Sequence, residues 1–426
     1  MEELTRELFP GVRLTMIRTD KFHSGCFSVH LLRALRAEDA ARNALLPSVL
    51  RRGTRTLPDQ GRIADALDSL YGSSLEPELR QMGETLAIGF QAAFPEDRFL
   101  PGAADCLSRV VALCGETLLD PATRGGLLRD DYVRSERQNL HDRIEAAVNN
   151  KRGYAVLRAR ELMFSGEPYG VFPLGRAEEA LRIRNLPLTR FYRDILRSSP
   201  MELFYCGSAG SERVEEAVRR AFMTLPGGGE RLLPASSAVP EKKELRHVTE
   251  EMDVEQGNLV LGFRYRRSGK ADHPALAVFN ELYGGGSASR LFMNVREKRS
   301  LCYAVGSGVE RYKETMTVTA GIDFDRREET EEAILEELRQ LAEGNITAQE
   351  LESARKSVAA GYLQALDSPA SLCAFRLGQN LLGEGGDLRQ FAALASEVRA
   401  EDVARIAAGM EPELSYFLRK GEEGCS

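Results

Sequence analysis

The chain has 426 residues, 43% hydrophobic and 28% charged, with a net charge of −7. That length implies more than one domain and sizeable cores, and the intermingled charges exclude the clustered Lys and Arg of a dedicated nucleic-acid surface. No apolar run approaches the ~18 residues of a membrane span, and the opening MEELTRELFPGVRLTMIRTD carries charges where a signal peptide needs an apolar core, so a cytoplasmic location is expected.

Alternating apolar positions at Val12, Leu14 and Met16 predict one strand, and Phe27, Val29 and Leu31 a second. Ala41, Ala44, Leu45 and Val49 recur at helical spacing through AEDAARNALLPSVLRRGT. A helix around QGRIADALDSLYG, a strand at ETLAIGFQAAF and a long helix from about Glu96 to Leu119 follow. A further helical region starts near RDDYVRSERQNL. MELFYCG then reads as a strand and SERVEEAVRRAFMTL as a helix. Residues 226–240, PGGGERLLPASSAVP, mix Gly, Pro and Ser without periodicity and read as a linker. It separates a first lobe at 1–225 from a second at 241–426.

Beyond the linker the order of elements repeats. NLVLGFRYR is a strand, HPALAVFNELYGGG a helix ending in glycine, and SASRLFMNVREKRS a second helix. LCYAVGSGV and ETMTVTAGID alternate as a hairpin. TAQELESARKSVAAGYLQAL is a long helix opened by a capping box, Thr347 to Glu350, and the end runs helix, AEDVARIAAGM, then strand, ELSYFLRKG. SLYGSS precedes GETLAI as SLCYAV precedes KETMTV. The shared order marks a duplicated α+β lobe.

The seven cysteines, at 26, 106, 114, 206, 302, 373 and 425, are odd in number and widely spread, with no CxxC. They are expected to be reduced, mostly buried thiols. The five histidines, at 23, 30, 141, 247 and 273, include no pair at i, i+4. HExxH, HxxEH, acidic calcium loops and GxSxG are all absent, so nothing supports an autonomous hydrolase.

YGGGSASRLFMNVREKRSLCY, residues 283–303, is the stretch with the most chemistry. A Walker-type phosphate loop needs a preceding strand and a following Lys-Ser/Thr pair, and this run has neither. Gly284, Gly285 and Gly286 can end a helix through left-handed conformations, with Ser287 capping the next. One glycine suffices for that, so three imply close approach by a backbone or a ligand. Arg296 and Tyr303 lie seven apart. They are either an exposed helix arginine and a half-buried strand tyrosine, or a pair that binds a carbonyl or a tetrahedral oxyanion.

This stretch resembles the GGG-S-S-RLF…REK-GL-Y segment of the pitrilysin/insulinase family of zinc peptidases, the inverzincins. LLPSVLRRGT is similar to their first-domain helix running into a Gly-Thr turn, so the resemblance covers nearly the whole chain. It implies an α+β fold of two homologous lobes, each a mostly antiparallel sheet covered by helices, pairing with a second subunit around a peptide chamber. Active members carry His-x-x-Glu-His before that turn. Alignment on RRGT places the metal-ligand positions at Ala44 and Ser48, the general base at Pro47, and the third ligand near Arg143. No ligand or base of the motif remains, and Pro47 in mid-helix is expected to cost about 3 kcal/mol unless the helix kinks.

Arg296 and Tyr303 match the family's substrate-binding pair at the same spacing. The resemblance therefore implies a catalytically inactive, peptide-binding subunit. Gly284–Ser287, Arg296 and Tyr303 would be its substrate side, with no cofactor in this chain and zinc in a homologous partner of a heterodimer. Two alternatives stay open: a non-enzymatic scaffold or peptide-binding homodimer of the same fold, and a metallopeptidase using ligands such as His141 and Asp142. Neither nucleic acid nor membrane is an expected partner.

Overall fold

The computed structural model describes residues 1–102, 104–229, 244–265 and 272–421. Most of the expected linker at 226–240, and Cys425, lie outside the described residues. The other six cysteines are free and buried. No helix among the described residues is long and apolar enough to cross a membrane.

The first lobe is built on β1 (Glu2–Phe9), β2 (Val12–Arg18), β3 (Ser24–Ala34), β4 (Ser74–Met82), β5 (Thr85–Pro95) and β6 (Met201–Gly207). They form a six-stranded sheet in the order β1-β2-β6-β3-β5-β4, in which only the β2–β6 pairing is parallel. Positions 25 to 32 of β3 are buried without a break, because helices cover both faces of the sheet. Phe27, Val29 and Leu31 point into the main core. Ser28 and His30, on the opposite face, are buried as well.

The second lobe contains β7 (Arg246–Glu251), β8 (Gly257–Tyr265), β9 (Ala304–Glu310), β10 (Thr315–Ile322) and β11 (Met410–Arg419). Their order is β9-β10-β8-β11-β7, with β11–β7 the one parallel pair. Laid on β4-β5-β3-β6-β2 of the first sheet, the order and the strand polarities coincide. This is the duplicated α+β lobe, and β1 is an extra edge on the first copy.

The lobe division drawn at 225 and 241 separates the sheets but not the helices that cover them. Ala146–Gly170, from the first half of the sequence, groups with the second sheet, and Leu366–Gly383, from the second half, with the first. The Lys151–Met163 helix buries Ala155, Ala159 and Met163 against Val260, Leu414 and Tyr416. The Pro369–Leu382 helix buries Leu372, Cys373 and Leu377, and its Asn380 donates to Glu202 of β6 at 3.1 Å. An apolar stripe on a helix does not say which copy of a duplicated sheet it will cover, so this exchange is decided by packing.

Local departures have local causes. The helix expected from about Glu96 begins at Cys106. Pro101 and Gly102 interrupt the run, and Asp105 caps the helix by accepting from the Ser108 N–H at 3.3 Å. The Ala37–Leu50 helix contains Pro47, which has no N–H to donate. It continues past the proline, and the Arg51 N–H reaches the Pro47 carbonyl at 3.0 Å. The Thr347–Glu350 capping box is present in both directions. Glu350 N–H donates to Thr347 Oγ1 at 3.2 Å, and Thr347 N–H to Glu350 Oε2 at 2.9 Å.

Candidate functional site

In the second lobe the Asp272–Asn280 helix runs on into a π-helical turn, Glu281–Gly285, and Leu291–Lys298 is π-helical as well. Such widened turns are rare and concentrate at functional sites. Tyr283 anchors the first of them. It is fully buried, donates to the Ile334 carbonyl at 2.9 Å and stacks on Phe279 at 5.6 Å.

The three glycines do not serve as left-handed helix ends, because none has a positive φ and Gly286 is extended at −139°. Close approach explains them instead. A Cβ on Gly284 would come within 2.8 Å of the Ser307 backbone nitrogen on β9, and one on Gly285 or Gly286 within 2.9 or 2.6 Å of the Glu281 carboxylate. That carboxylate is held in place by Ser357, whose hydroxyl donates to it at 2.7 Å. The expected cap also moves. Ser287 is exposed, while Ser289 accepts from the Phe292 N–H at 3.5 Å.

The left-handed residue lies further on, at Ser300, with φ of 50°. Its N–H reaches the Arg296 carbonyl at 3.1 Å and the Leu301 N–H reaches Val295 at 3.1 Å, so Ser300 closes the helix in the position that favours glycine. Relief of roughly 1 kcal/mol of left-handed strain, partly offset by greater chain entropy when unfolded, gives an expected stabilisation of about 0.5 kcal/mol for Ser300→Gly. Ser300→Val should destabilise by more than that. Urea unfolding midpoints of the two variants check both signs.

This turn brings Arg296 and Tyr303 together. Arg296 Nε donates to the Tyr303 carbonyl at 2.9 Å, Nη1 to Glu297 at 2.9 Å, and the guanidinium lies 4.5 Å over the Phe292 ring. Tyr303 is 62% exposed, not half-buried. Its hydroxyl donates to Asp323 at 2.8 Å, and that hydrogen bond, with the carboxylate's charge, raises the phenol above its ordinary pKa. Arg290 of the same stretch has a structural part: 8% exposed, it makes a two-pronged bond to Glu350 at 2.8 and 3.1 Å.

Beside the pair lies an open groove of about 530 Å³. The glycine run, Phe292, residues Val305 to Gly308 of β9, Thr317, Thr319 and Arg152 line it. Sequence reasoning missed Arg152 and Asp323. Neither is near the motif in the chain, and no spacing rule links them to it.

The first-lobe positions tell the opposite story. Ala44 is 4% exposed and Pro47 is buried, both without a donor atom. Ser48 is half-buried, and Arg143 is an exposed cation. His141 and Asp142 bond each other at 3.1 Å on a surface helix, where Asp142 also accepts from Gln138 at 2.9 Å. Among the described residues no three His, Cys, Asp or Glu side chains are grouped to hold a metal ion. This donor set does not fit a zinc ion, which needs deprotonated N, O or S ligands in tetrahedral array.

Residues 187–358 match the family model described as the Peptidase M16 inactive domain. A probable inactive metalloprotease of Bacillus subtilis, YmfF, is 30% identical over 419 residues, covering 98% of this chain and 97% of that protein. The chain belongs to the M16 peptidase family. Within it, this chain is a pitrilysin/insulinase-type homologue of the non-catalytic kind, without the His-x-x-Glu-His motif. An uncharacterized zinc protease of the same bacterium, YmxG, is 31% identical over 163 residues, 37% of this chain and 39% of that one. Among solved structures, a conserved protein from Enterococcus faecalis superposes with a TM-score of 0.91 at 23% identity over the whole of both chains. The peptidase M16 inactive domain from Pseudomonas fluorescens superposes at 0.81 and 16% identity, over 99% of each. At those identities the likeness speaks to the M16 two-lobe fold alone.

Proposed function

We propose that this M16 homologue is the catalytically inactive subunit of a heteromeric peptidase, binding peptide for a zinc-bearing partner. One observation carries the reading. The pair of half-buried Arg296 and exposed Tyr303 stands beside an open groove, Arg296 lying over its lining residue Phe292, while the positions that would hold zinc have no usable donors.

The pair suits a peptide backbone. Arg296 keeps Nη2 without a hydrogen bond among the described residues and can donate it to a carbonyl. The Tyr303 hydrogen is committed to Asp323, so the phenol oxygen is free to accept a peptide N–H. Charge developing on the carbonyl oxygen as a partner's hydroxide attacks would strengthen the Arg296 contact, which is the requirement for lowering a barrier.

Co-expression with a zinc-bearing M16 relative should give a complex that cleaves unstructured peptides. Arg296→Ala should then lower kcat/KM by about 10²–10³-fold, and Tyr303→Phe by about tenfold, the scale of a lost neutral hydrogen bond. Undiminished activity in both variants removes the clamp. Zinc binding and peptide cleavage by the isolated chain remove the subunit reading. A self-dimer that binds peptide but gains no activity from any such relative favours the scaffold alternative.

A further inference from the structure

Each of the two large sheets has two edge strands, and three of the four are blunted against pairing. β1 exposes Glu2, Glu3, Arg6 and Glu7, β4 contains Pro77, and β7 exposes Arg246, His247 and Glu251. The fourth, β9, reads AVGSGVE, with no proline and a single charge at its last residue. It is the edge that borders the groove.

Two details of β9 are left over by the fold. Gly306 and Gly308 both have negative φ. A Cβ on Gly308 would meet nothing within 4 Å, so the fold does not require glycine there. Glycine weakens a strand, and where it persists without a local cause it marks a place that another backbone approaches. The second detail is charge. None of the groove's lining residues is acidic, and its one cation is Arg152. Arg152 donates to Thr319 at 3.0 Å, directly opposite Gly306 in the β9–β10 register, and has no carboxylate partner among the described residues.

We propose that the free edge of β9 takes an extended acidic peptide as an added strand, and that Arg152 selects an Asp or Glu side chain in it. The inference rests on the peptide-binding reading above and adds the mode and the charge preference. Main-chain groups on the open side of β9 supply the affinity. Gly308, with open space beside it, admits the incoming chain, and Arg152 meets its carboxylate with a charge-assisted, two-pronged bond. The seven residues of β9 set the length of the added strand. Arg152 lies in the first half of the sequence, on the helix exchanged into the second lobe, so the specificity residue and the edge it serves come from different halves.

The test uses the full chain and two fluorescein-labelled, unstructured seven-residue peptides, one with central Asp and Glu, the other with Asn and Gln. The acidic peptide is expected to bind at least tenfold more tightly at low salt. That preference should vanish in Arg152→Ala and invert in Arg152→Glu. Gly308→Val should keep or raise the unfolding midpoint while weakening binding at least tenfold, and bound peptide should protect the 304–310 amides from hydrogen exchange. Equal affinities, unchanged binding by Gly308→Val, unprotected β9 amides, or no binding at millimolar peptide would each overturn the proposal. If the partnered enzyme depends on Arg296 while β9 stays unprotected, strand addition fails and the subunit reading stands. If β9 is protected and Arg296→Ala is silent, the reverse holds.

Discussion

Arg264→Ala should destabilise the second lobe by about 3–5 kcal/mol, the cost of stranding a buried carboxylate. Arg264 is 4% exposed and Glu413 9%. The Arg264 guanidinium bonds Glu413 through Nε and Glu167 through Nη2, the latter at 3.1 Å, and lies 4.4 Å over the Phe164 ring. Lys313, 2% exposed, reaches the other oxygen of Glu167 at 2.8 Å. Burial opposes ionisation of Glu167, but Lys313 and Arg264 together hold its carboxyl below the ordinary range. Glu413→Ala should cost about as much as Arg264→Ala. The paired change Arg264→Met with Glu413→Leu should recover most of the loss, because a matched apolar pair has no desolvation to repay. A double-mutant cycle on urea unfolding measures this, and single changes costing under about 1 kcal/mol would show that the cluster is already hydrated. The cluster matters beyond stability, since it fastens the exchanged segment that carries Arg152.

Acid should weaken the first lobe through His30. This side chain is 3% exposed. Burial holds its pKa down at about 4, against the opposing pull of Glu78, whose Oε2 lies 3.5 Å from Nδ1, with Arg80 adding to the depression. The other groups around it are Phe204, at 6.1 Å between ring centroids, and Glu202, its cross-strand partner, which Arg13 and Asn380 bind. The sign follows from linkage. Between pH 6.5 and 4 the unfolded chain takes up the proton and the folded one does not, so stability falls as pH falls through that window. The full shift is worth about 3 kcal/mol. The stability difference between His30→Leu and wild type should therefore move by about 2 kcal/mol in the variant's favour between pH 7 and pH 4.5. A difference that stays constant with pH would show that His30 already exchanges protons freely when folded.

Elements with a strong local signal were legible. The Ala37–Leu50 helix, β3, β8, the β9–β10 hairpin and the Thr347 cap all follow from apolar spacing or side-chain caps acting within a few residues. β1, β4 and β7 were passed over for the reason that makes them good edges: charge or proline breaks their alternation. At the candidate site, Arg296 and Tyr303 were legible as a pair because a short helix end brings them together. The glycine run was legible in part: its number implied close approach, and β9 and Glu281 are what approach, while the left-handed helix end expected beside that is not adopted.

By itself the sequence determined the α+β duplication, the absence of a His-x-x-Glu-His motif, and an Arg296 and Tyr303 placed seven residues apart across a helix end. These are facts of composition, order and short-range geometry. Only the tertiary structure decided which sheet each exchanged helix covers, that Tyr303 stands exposed with its hydrogen on Asp323, and that Arg152 lines the same groove as β9. The physical reason is common to all three. Each depends on contacts between residues far apart in the chain, whose energy comes from burying one particular surface against another, and no local pattern encodes that choice.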